Sequence, residues 1–337
     1  MESKAVKLGS SLIVPCVQEL AKVNIATIPA RYIRPDQEQP IINPNGASAN
    51  EVPVIDMQRL LDQESMDSEL TKLHFACKDW GFFQLVNHEV SSSLEEKFWQ
   101  YPGEVEGFGQ AFVVSEEQKL DWADLFFLVT QPVHARKPHL FPKLPLPFRD
   151  TVEAYSSELK NLAMTILAHM GKALKIEAEE VEEFFANGFQ SMRMNYYPPC
   201  PQPDRVIGLT PHSDAVGLTI LLQVNEMEGL QIKKDGKWVP VKPLPNAFIF
   251  NIGDILEIIT NGIYRSIEHR ATVNSEKERL SIATFLSTNY DGVIGPASSL
   301  VTEPTPAMFR SITAEEYYKG LFARELHEKS YLDAMRI

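Results

Sequence analysis

The sequence predicts an α+β protein in which a helical N-terminal module precedes an all-β sandwich or barrel. Three observations carry this expectation. Val152, Tyr155, Leu159, Leu162, Ile166, Met170 and Leu174 form one apolar stripe at helical spacing, long enough to specify a major helix. From about Gln190 to Leu286, short runs rich in β-branched and aromatic residues alternate with turn signals, the pattern of a sandwich or barrel. Within that stretch, Asp235-Gly236 stands between Leu230-Gln-Ile and Trp238-Val, a strong two-residue hairpin signal.

The remaining elements follow in chain order. Residues 11–25 predict a short helix after Pro15, and Pro29 to Asn50, rich in Pro, Asn, Gln and Ser, reads as irregular surface chain. Val52-Pro-Val-Ile-Asp56 is a short strand. Leu70, Leu73, Cys77 and Trp80 recur at helical spacing, so a helix is expected from Met66 to Trp80. Gly81-Phe-Phe-Gln-Leu-Val-Asn87 has the density of a buried strand. The prolines between Pro138 and Pro147 forbid helix there, so the long helix is expected to begin beyond them.

At 337 residues, 44% hydrophobic and 23% charged, the chain has an ordinary globular composition. The formal charge of −13 opposes binding to a phosphate backbone, which needs clustered Lys and Arg, so no nucleic-acid partner is expected. No apolar run approaches the ~20 residues of a membrane helix, and the first residues lack a signal peptide's basic and apolar regions. The expectation is a cytoplasmic monomer with no membrane partner. Cys16, Cys77 and Cys200 form no CxxC pair and read as reduced thiols, with Cys77 in the core and Cys200 in a proline turn.

The chemistry concentrates in one constellation. His212 and Asp214 stand two apart, on one face of an extended strand, and His269 supplies a second imidazole. Two imidazoles and one carboxylate are the ligand set that holds non-haem Fe(II) on one face and leaves other positions open. His-x-Asp alone would be read as a surface turn. Ten residues after His269, Arg279-x-Ser281 places a cation and a hydroxyl on one strand face, suited to gripping a carboxylate. The competing role for Arg279 is a surface ion pair with Glu276 or Glu278. Against it, the surrounding apolar alternation reads as a strand buried on both faces, where an unpaired charge costs about 3–5 kcal/mol. The other histidines take plainer roles: His88 ends a strand, His74 and His169 lie in helical patterns, His134 and His139 flank the proline-rich loop, and His327 has no motif. Phe108, Phe112, Phe126, Phe127 and Phe285 are candidates for an apolar pocket, although aromatics more often fill core.

These residues and their surroundings resemble the plant 2-oxoglutarate- and Fe(II)-dependent dioxygenases. The stretches concerned are Asn195-Tyr-Tyr-Pro-Pro-Cys-Pro-Gln-Pro203, Gly208-Leu-Thr-Pro-His-Ser-Asp214, Asn251-Ile-Gly-Asp254, Tyr264-Arg-Ser-Ile-Glu-His-Arg270 and Glu278-Arg-Leu-Ser281. Val54-Ile-Asp56, Trp80-Gly-Phe-Phe-Gln-Leu-Val-Asn-His88 and Glu106-Gly-Phe-Gly-Gln110 resemble that family's N-terminal module. The similarity is strongest to the senescence-related subgroup, which includes the opiate alkaloid O-demethylases. It implies a double-stranded β-helix (jelly-roll) core with flanking helices. It also implies Fe(II) at His212, Asp214 and His269, with 2-oxoglutarate held by Arg279 and Ser281 and touched by Tyr197 and its neighbour Asn195. O2 would be the oxidant, ascorbate the reductant, and a small hydrophobic plant metabolite the substrate of hydroxylation or O-demethylation.

The implied organisation is an N-terminal dioxygenase module at 52–150, the jelly roll at 187–288 and a C-terminal segment at 289–337. One departure stands out. The family's Asn-His-Gly is Asn87-His88-Glu89 here, and Ser91-Ser-Ser-Leu94 runs straight into Glu95-Glu-Lys97, where relatives insert a helix of several turns. The 52–150 module is thus shortened between His88 and Glu106, outside the candidate site residues. Two other functions remain open from the residues: an ethylene-forming-type oxidase using ascorbate in place of 2-oxoglutarate, and an inactive relative that only binds.

Overall fold

The computed structural model describes residues 12–23, 27–35, 51–90, 106–110, 113, 115–137, 139–140, 146–322 and 330–337. The chain before the jelly-roll region contributes β1 (Val54–Asp56), β2 (Phe82–Val86), β3 (Gly107–Gly109) and β4 (Asp124–Gln131). Then come β5 (Gln190–Tyr197), β6 (Leu209–His212), β7 (Leu218–Gln223), β8 (Leu230–Lys234), β9 (Lys237–Pro240) and β10 (Phe248–Ile252). β11 (His269–Ala271), β12 (Arg279–Leu286), β13 (Val293–Ile294) and β14 (Ile312–Thr313) follow. The helices are α1 (Val17–Lys22), α2 (Met57–Leu61), α3 (Met66–Phe75), α4 (Leu146–Leu174), α5 (Ala178–Phe185), α6 (Asp254–Ile259), α7 (Ala314–Phe322) and α8 (Ser330–Met335).

Two sheets face each other. The major sheet runs β1-β2-β10-β7-β12-β5-β4-β3, and the minor sheet β6-β11-β8-β9. Every pairing in them is antiparallel except β1 with β2. The jelly-roll expectation is met, and β1 to β4, although they precede residue 187, extend the same major sheet. The outer face of that sheet packs Phe126, Leu128, Met192, Ile220, Leu222 and Ile282 against Val152, Leu159 and Ile166 of α4. Between the sheets, Phe82 and Ile249 of the major sheet meet Leu230, Ile232 and Val239 of the minor one. Alternation along each strand therefore feeds one core outside the sandwich and another inside it.

Most local expectations hold. β8 and β9 are joined at Asp235 and Gly236, both at positive φ (51° and 74°), as a tight hairpin turn requires. Asp56 caps α2 by accepting from the Gln58 and Arg59 N–H groups. The helix expected from Met66 to Trp80 is α-helical through Phe75 and a π turn from Ala76 to Trp80.

Two readings need correction. α4 starts at Leu146, with Pro147 in its first turn, where a missing N–H leaves no bond unmade. The stretch from Gln190 to Leu286 is not only strands and turns, because α6 interrupts it after β10. Phe112, His327 and Ser91 to Val105, where the shortening was read, lie outside the described residues.

Candidate metal and co-substrate site

β6 ends in His212, which lies opposite His269 in the antiparallel register of β6 and β11. The chain then turns, bringing Asp214 beside both rings. Ligand atoms of His212, Asp214 and His269 all lie within 4.8 Å of one another, and all three residues are buried. The imidazole rings are 4.4 Å apart between centroids. Asp214 Oδ1 lies 3.4 Å from His212 Nε2 and 3.7 Å from His269 Nε2.

Each ring is oriented from behind. His212 Nδ1 donates to the Thr210 carbonyl at 2.7 Å, and His269 Nδ1 to the Ile267 carbonyl at 3.1 Å. A carbonyl only accepts, so these bonds put the proton on Nδ1 and turn the Nε2 lone pair toward Asp214. His212 Nε2 is buried and has no hydrogen-bond partner among the described residues. Asp214 Oδ2 accepts from Thr219 Oγ1 at 2.7 Å and from Asn251 Nδ2 at 2.8 Å, which leaves Oδ1 as the oxygen facing the rings.

Electrostatics agree with a ligand cluster. Burial pushes the His269 imidazole down to about 4, with His212 adding to the effect and Asp214 opposing it, so the ring is neutral at pH 7. Burial alone would raise the Asp214 carboxyl. The neighbouring His269 and His212, with the Asn251 hydrogen bond, hold it well below the usual carboxylate range. Neutral imidazoles and an ionised carboxylate are the protonation states a divalent metal requires. The donor set therefore fits a hard divalent ion such as Fe(II).

The second cluster lies on two neighbouring strands of the major sheet. Arg279 of β12 is in register with Tyr197 of β5, and Ser281 with Asn195. Arg279 is 2% exposed, which overturns the surface ion pair: Glu278 instead accepts from the Tyr196 hydroxyl. Its guanidinium donates to Ser281 Oγ at 3.3 Å and Gln223 Oε1 at 3.1 Å, and lies 5.1 Å from the Tyr197 ring centre. Nε is buried and has no hydrogen-bond partner among the described residues. Among the described residues no carboxylate forms an ion pair with it. Burial lowers the affinity of this guanidinium for its proton, and Tyr197 opposes the shift. Ser281 Oγ also accepts from Asn195 Nδ2 at a long 3.4 Å, so its own hydrogen is free to be donated. A buried cation that faces neutral groups among the described residues, beside an undirected hydroxyl proton, has the chemistry to receive a carboxylate.

The sequence assigned no role to several supporting residues, Asn251 among them although it stands in the Asn251-Ile-Gly-Asp254 motif. Thr219, Asn251 and Gln223 come from other strands and act through contacts that spacing does not encode. Asp121 accepts from the Thr210 N–H at 3.1 Å and from its hydroxyl at 2.6 Å, steadying the carbonyl that orients His212. Of the candidate pocket aromatics, Phe126 belongs to the outer core, and Phe108 packs against it. Phe285 is 5.3 Å from the Arg193 guanidinium, and Phe127 is in register with Arg193. The plainer histidines keep their plain roles: His88 stacks on Phe248, His74 contacts the Tyr264 hydroxyl, and His134 and His139 are exposed. Cys77 and Cys200 are buried, and all three cysteines are free.

Comparison with known proteins agrees with this geometry. Residues 188–288 match the 2OG-Fe(II) oxygenase superfamily, and residues 52–101 the N-terminal region described as non-haem dioxygenase in morphine synthesis. The chain is 60% identical to protein SRG1 of Arabidopsis thaliana over 358 residues, covering 100% of both. It is 53% identical to thebaine 6-O-demethylase of Papaver somniferum over 364 residues, again covering 100% of both. The crystal structure of JOX2 in complex with 2OG, Fe and JA superposes with a TM-score of 0.84 at 32% identity, covering 96% of this chain and 98% of that one. The chain belongs to the 2OG-Fe(II) oxygenase superfamily, within the group that holds SRG1 and the opiate O-demethylases, and is a 2-oxoglutarate- and Fe(II)-dependent dioxygenase.

Proposed function

We propose that His212, Asp214 and His269 are the iron ligands of this dioxygenase and that Arg279 and Ser281 grip the distant carboxylate of 2-oxoglutarate. Tyr197 and Asn195 complete that subsite. The observation that supports this most is the pairing of a ligand cluster with a buried cation that, among the described residues, has no carboxylate partner, in one jelly roll. When bound, Fe(II) supplies the oxygen activation that couples decarboxylation of 2-oxoglutarate, to succinate and CO2, with oxidation of a substrate C–H bond. The protein's share is placement. Arg279 and Ser281 fix one end of the co-substrate, the carbonyls of Thr210 and Ile267 fix the rings, and Thr219 with Asn251 holds Asp214 to one oxygen.

The substrate class we infer is a small hydrophobic plant metabolite, oxidised by hydroxylation or O-demethylation, as the name of the opiate demethylase relative suggests. For an aryl or alkyl methyl ether, one 2-oxoglutarate and one O2 would yield the free hydroxyl, formaldehyde, succinate and CO2. Ascorbate would keep the iron reduced. We further propose a cytoplasmic monomer organised as 52–150, 187–288 and 289–337. Among the described residues no helix is long and apolar enough to cross a membrane. The ethylene-forming and binding-only alternatives gain no support from the relatives.

A panel of apolar plant metabolites, with and without methoxy groups, should be assayed with Fe(II), 2-oxoglutarate, O2 and ascorbate. Succinate above the substrate-free rate marks a substrate, and formaldehyde equal to succinate marks demethylation. Hydroxylated products without formaldehyde from every methoxylated substrate would overturn the demethylase reading and leave hydroxylation.

A further inference from the structure

Asp254 opens α6 next to the turn that carries the candidate ligands. Its N–H donates to the Asp214 carbonyl at 2.8 Å. The approach is close enough that a Cβ on the preceding Gly253 would stand 2.0 Å from the Val216 carbonyl oxygen and 2.9 Å from that of Asp214. The Asp254 carboxylate then reaches both ligand-bearing segments. Oδ2 accepts from Ser213 Oγ at 3.1 Å, between His212 and Asp214. Oδ1 accepts from Ser266 Oγ at 2.6 Å, three residues before His269. One carboxylate thus ties together two stretches that are far apart in sequence and must stay in register for the three donors to converge.

A second acid stands one turn along the same helix. Glu257, fully buried, accepts the Ser266 N–H on Oε2 at 2.7 Å. Its Oε1 meets Arg336 Nη2 at 3.0 Å and, more distantly, Arg265 Nη1 at 4.0 Å. Arg336 belongs to the C-terminal segment. It bridges backbone-to-backbone with Phe309, its guanidinium lies 4.9 Å from the Phe309 ring centre, and its Nε contacts Asp333 at 3.3 Å. Two buried carboxylates on one turn of helix repel each other and cost desolvation, so a cation held against the inner one stabilises the whole arrangement.

We propose that Asp254 is a positioning residue for the metal site and that Arg336 is the latch that keeps the Asp254 and Glu257 pair in place. The inference rests on the reading that His212, Asp214 and His269 hold iron. It adds that the spacing of the ligand segments is set from α6 and locked by the C-terminal segment. Groups that orient metal ligands from behind typically change metal affinity by about 10–100-fold when removed.

The test is equilibrium Fe(II) binding by the full chain, without O2 or 2-oxoglutarate, at a temperature where circular dichroism shows each variant folded. Asp254→Asn, which cannot accept from both serines, should weaken Fe(II) binding by about 10–100-fold. Arg336→Ala should weaken it by about tenfold, and Arg336→Lys, which keeps the charge, should recover most of that loss. If Asp254→Asn does not fold, Ser213→Ala and Arg336→Ala decide. Folded variants that melt earlier yet bind Fe(II) like the wild type would overturn the proposal, since the network would then be structural only. Failure of the underlying site reading looks different: His269→Ala would bind Fe(II) as the wild type does.

Discussion

In the triad, Asp214 meets hydrogen-bond donors supplied by the fold: Thr219 and Asn251 hold Oδ2, while Oδ1 faces the Nε2 atoms of two imidazoles. On the neighbouring strands, Arg279 is just as buried but, among the described residues, meets an amide, a hydroxyl and an aromatic ring and no carboxylate. The metal half is preorganised by hydrogen bonds that exist without a ligand. The proposed clamp half is a buried cation whose contacts among the described residues are neutral. The difference teaches which groups serve assembly of the site and which serve recognition, and it makes the two halves respond differently to the same kind of substitution.

The largest effect should come from the ligands. His212→Ala, Asp214→Ala and His269→Ala should each abolish Fe(II)-dependent succinate formation while leaving a folded protein, because each removes one of three donors but little core volume. Circular dichroism alongside the assay checks both halves of that statement, and wild-type activity in any folded variant would break the triad.

The clamp comes next. Arg279→Ala should raise the 2-oxoglutarate needed for half-maximal rate by on the order of 10–100-fold, from a charge-assisted bond contributing roughly 1.5–3 kcal/mol. Arg279→Lys should recover only part, lacking the planar fork. Without ligand, Arg279→Met should melt higher than the wild type, since an unneutralised buried charge is exchanged for an apolar chain. Thr219→Val should melt lower, because it removes a donor from the buried Asp214 carboxylate. Shifts of the same sign would remove the contrast between the halves.

Acid provides a weaker probe. His269 is pushed down to about 4 in the fold, against 6.5 when unperturbed. Between these values the unfolded chain binds a proton that the folded one refuses, so stability of the metal-free protein should fall as pH drops from 6.5 to 4. His269→Ala should flatten that dependence in thermal melts. The smallest effect concerns the shortened module. The alignment with SRG1 spans 358 residues against the 337 of this chain, so it contains gaps. Inserting a family-like helical segment between Leu94 and Glu95 should raise the melting temperature and turnover. Equal values would mean the shorter segment is tolerated.

Much of the site was legible because it is written in strand periodicity. Arg279 and Ser281 share a face of β12 at a spacing of two, and the register places Tyr197 and Asn195 directly opposite them; Asp214, expected on the strand face of His212, instead lies in the turn after β6 and reaches the rings from there. The Asp235-Gly236 hairpin was legible for the same local reason. α6 was not, because Asp254-Ile-Leu-Glu-Ile-Ile259 is dense in β-branched residues and too short to show a helical period. β4 is not legible either: burial alternates from Asp124 to Leu128, but the Leu-Phe-Phe-Leu-Val run is apolar at every position, so no period of two marks it in the sequence. Thr219, Gln223 and Asp121 act on segments distant in sequence and no local pattern marks them, while Asn251 stands in a motif that does not show which group it contacts.

The most direct test of the central claim measures succinate from 2-oxoglutarate under O2 and Fe(II), for the wild type, Arg279→Ala and His269→Ala, across a wide range of co-substrate. The wild type should form succinate at low 2-oxoglutarate, Arg279→Ala should do so only at much higher concentration, and His269→Ala at none. A wild type that forms no succinate, or an Arg279→Ala enzyme that saturates where the wild type does, would contradict the account.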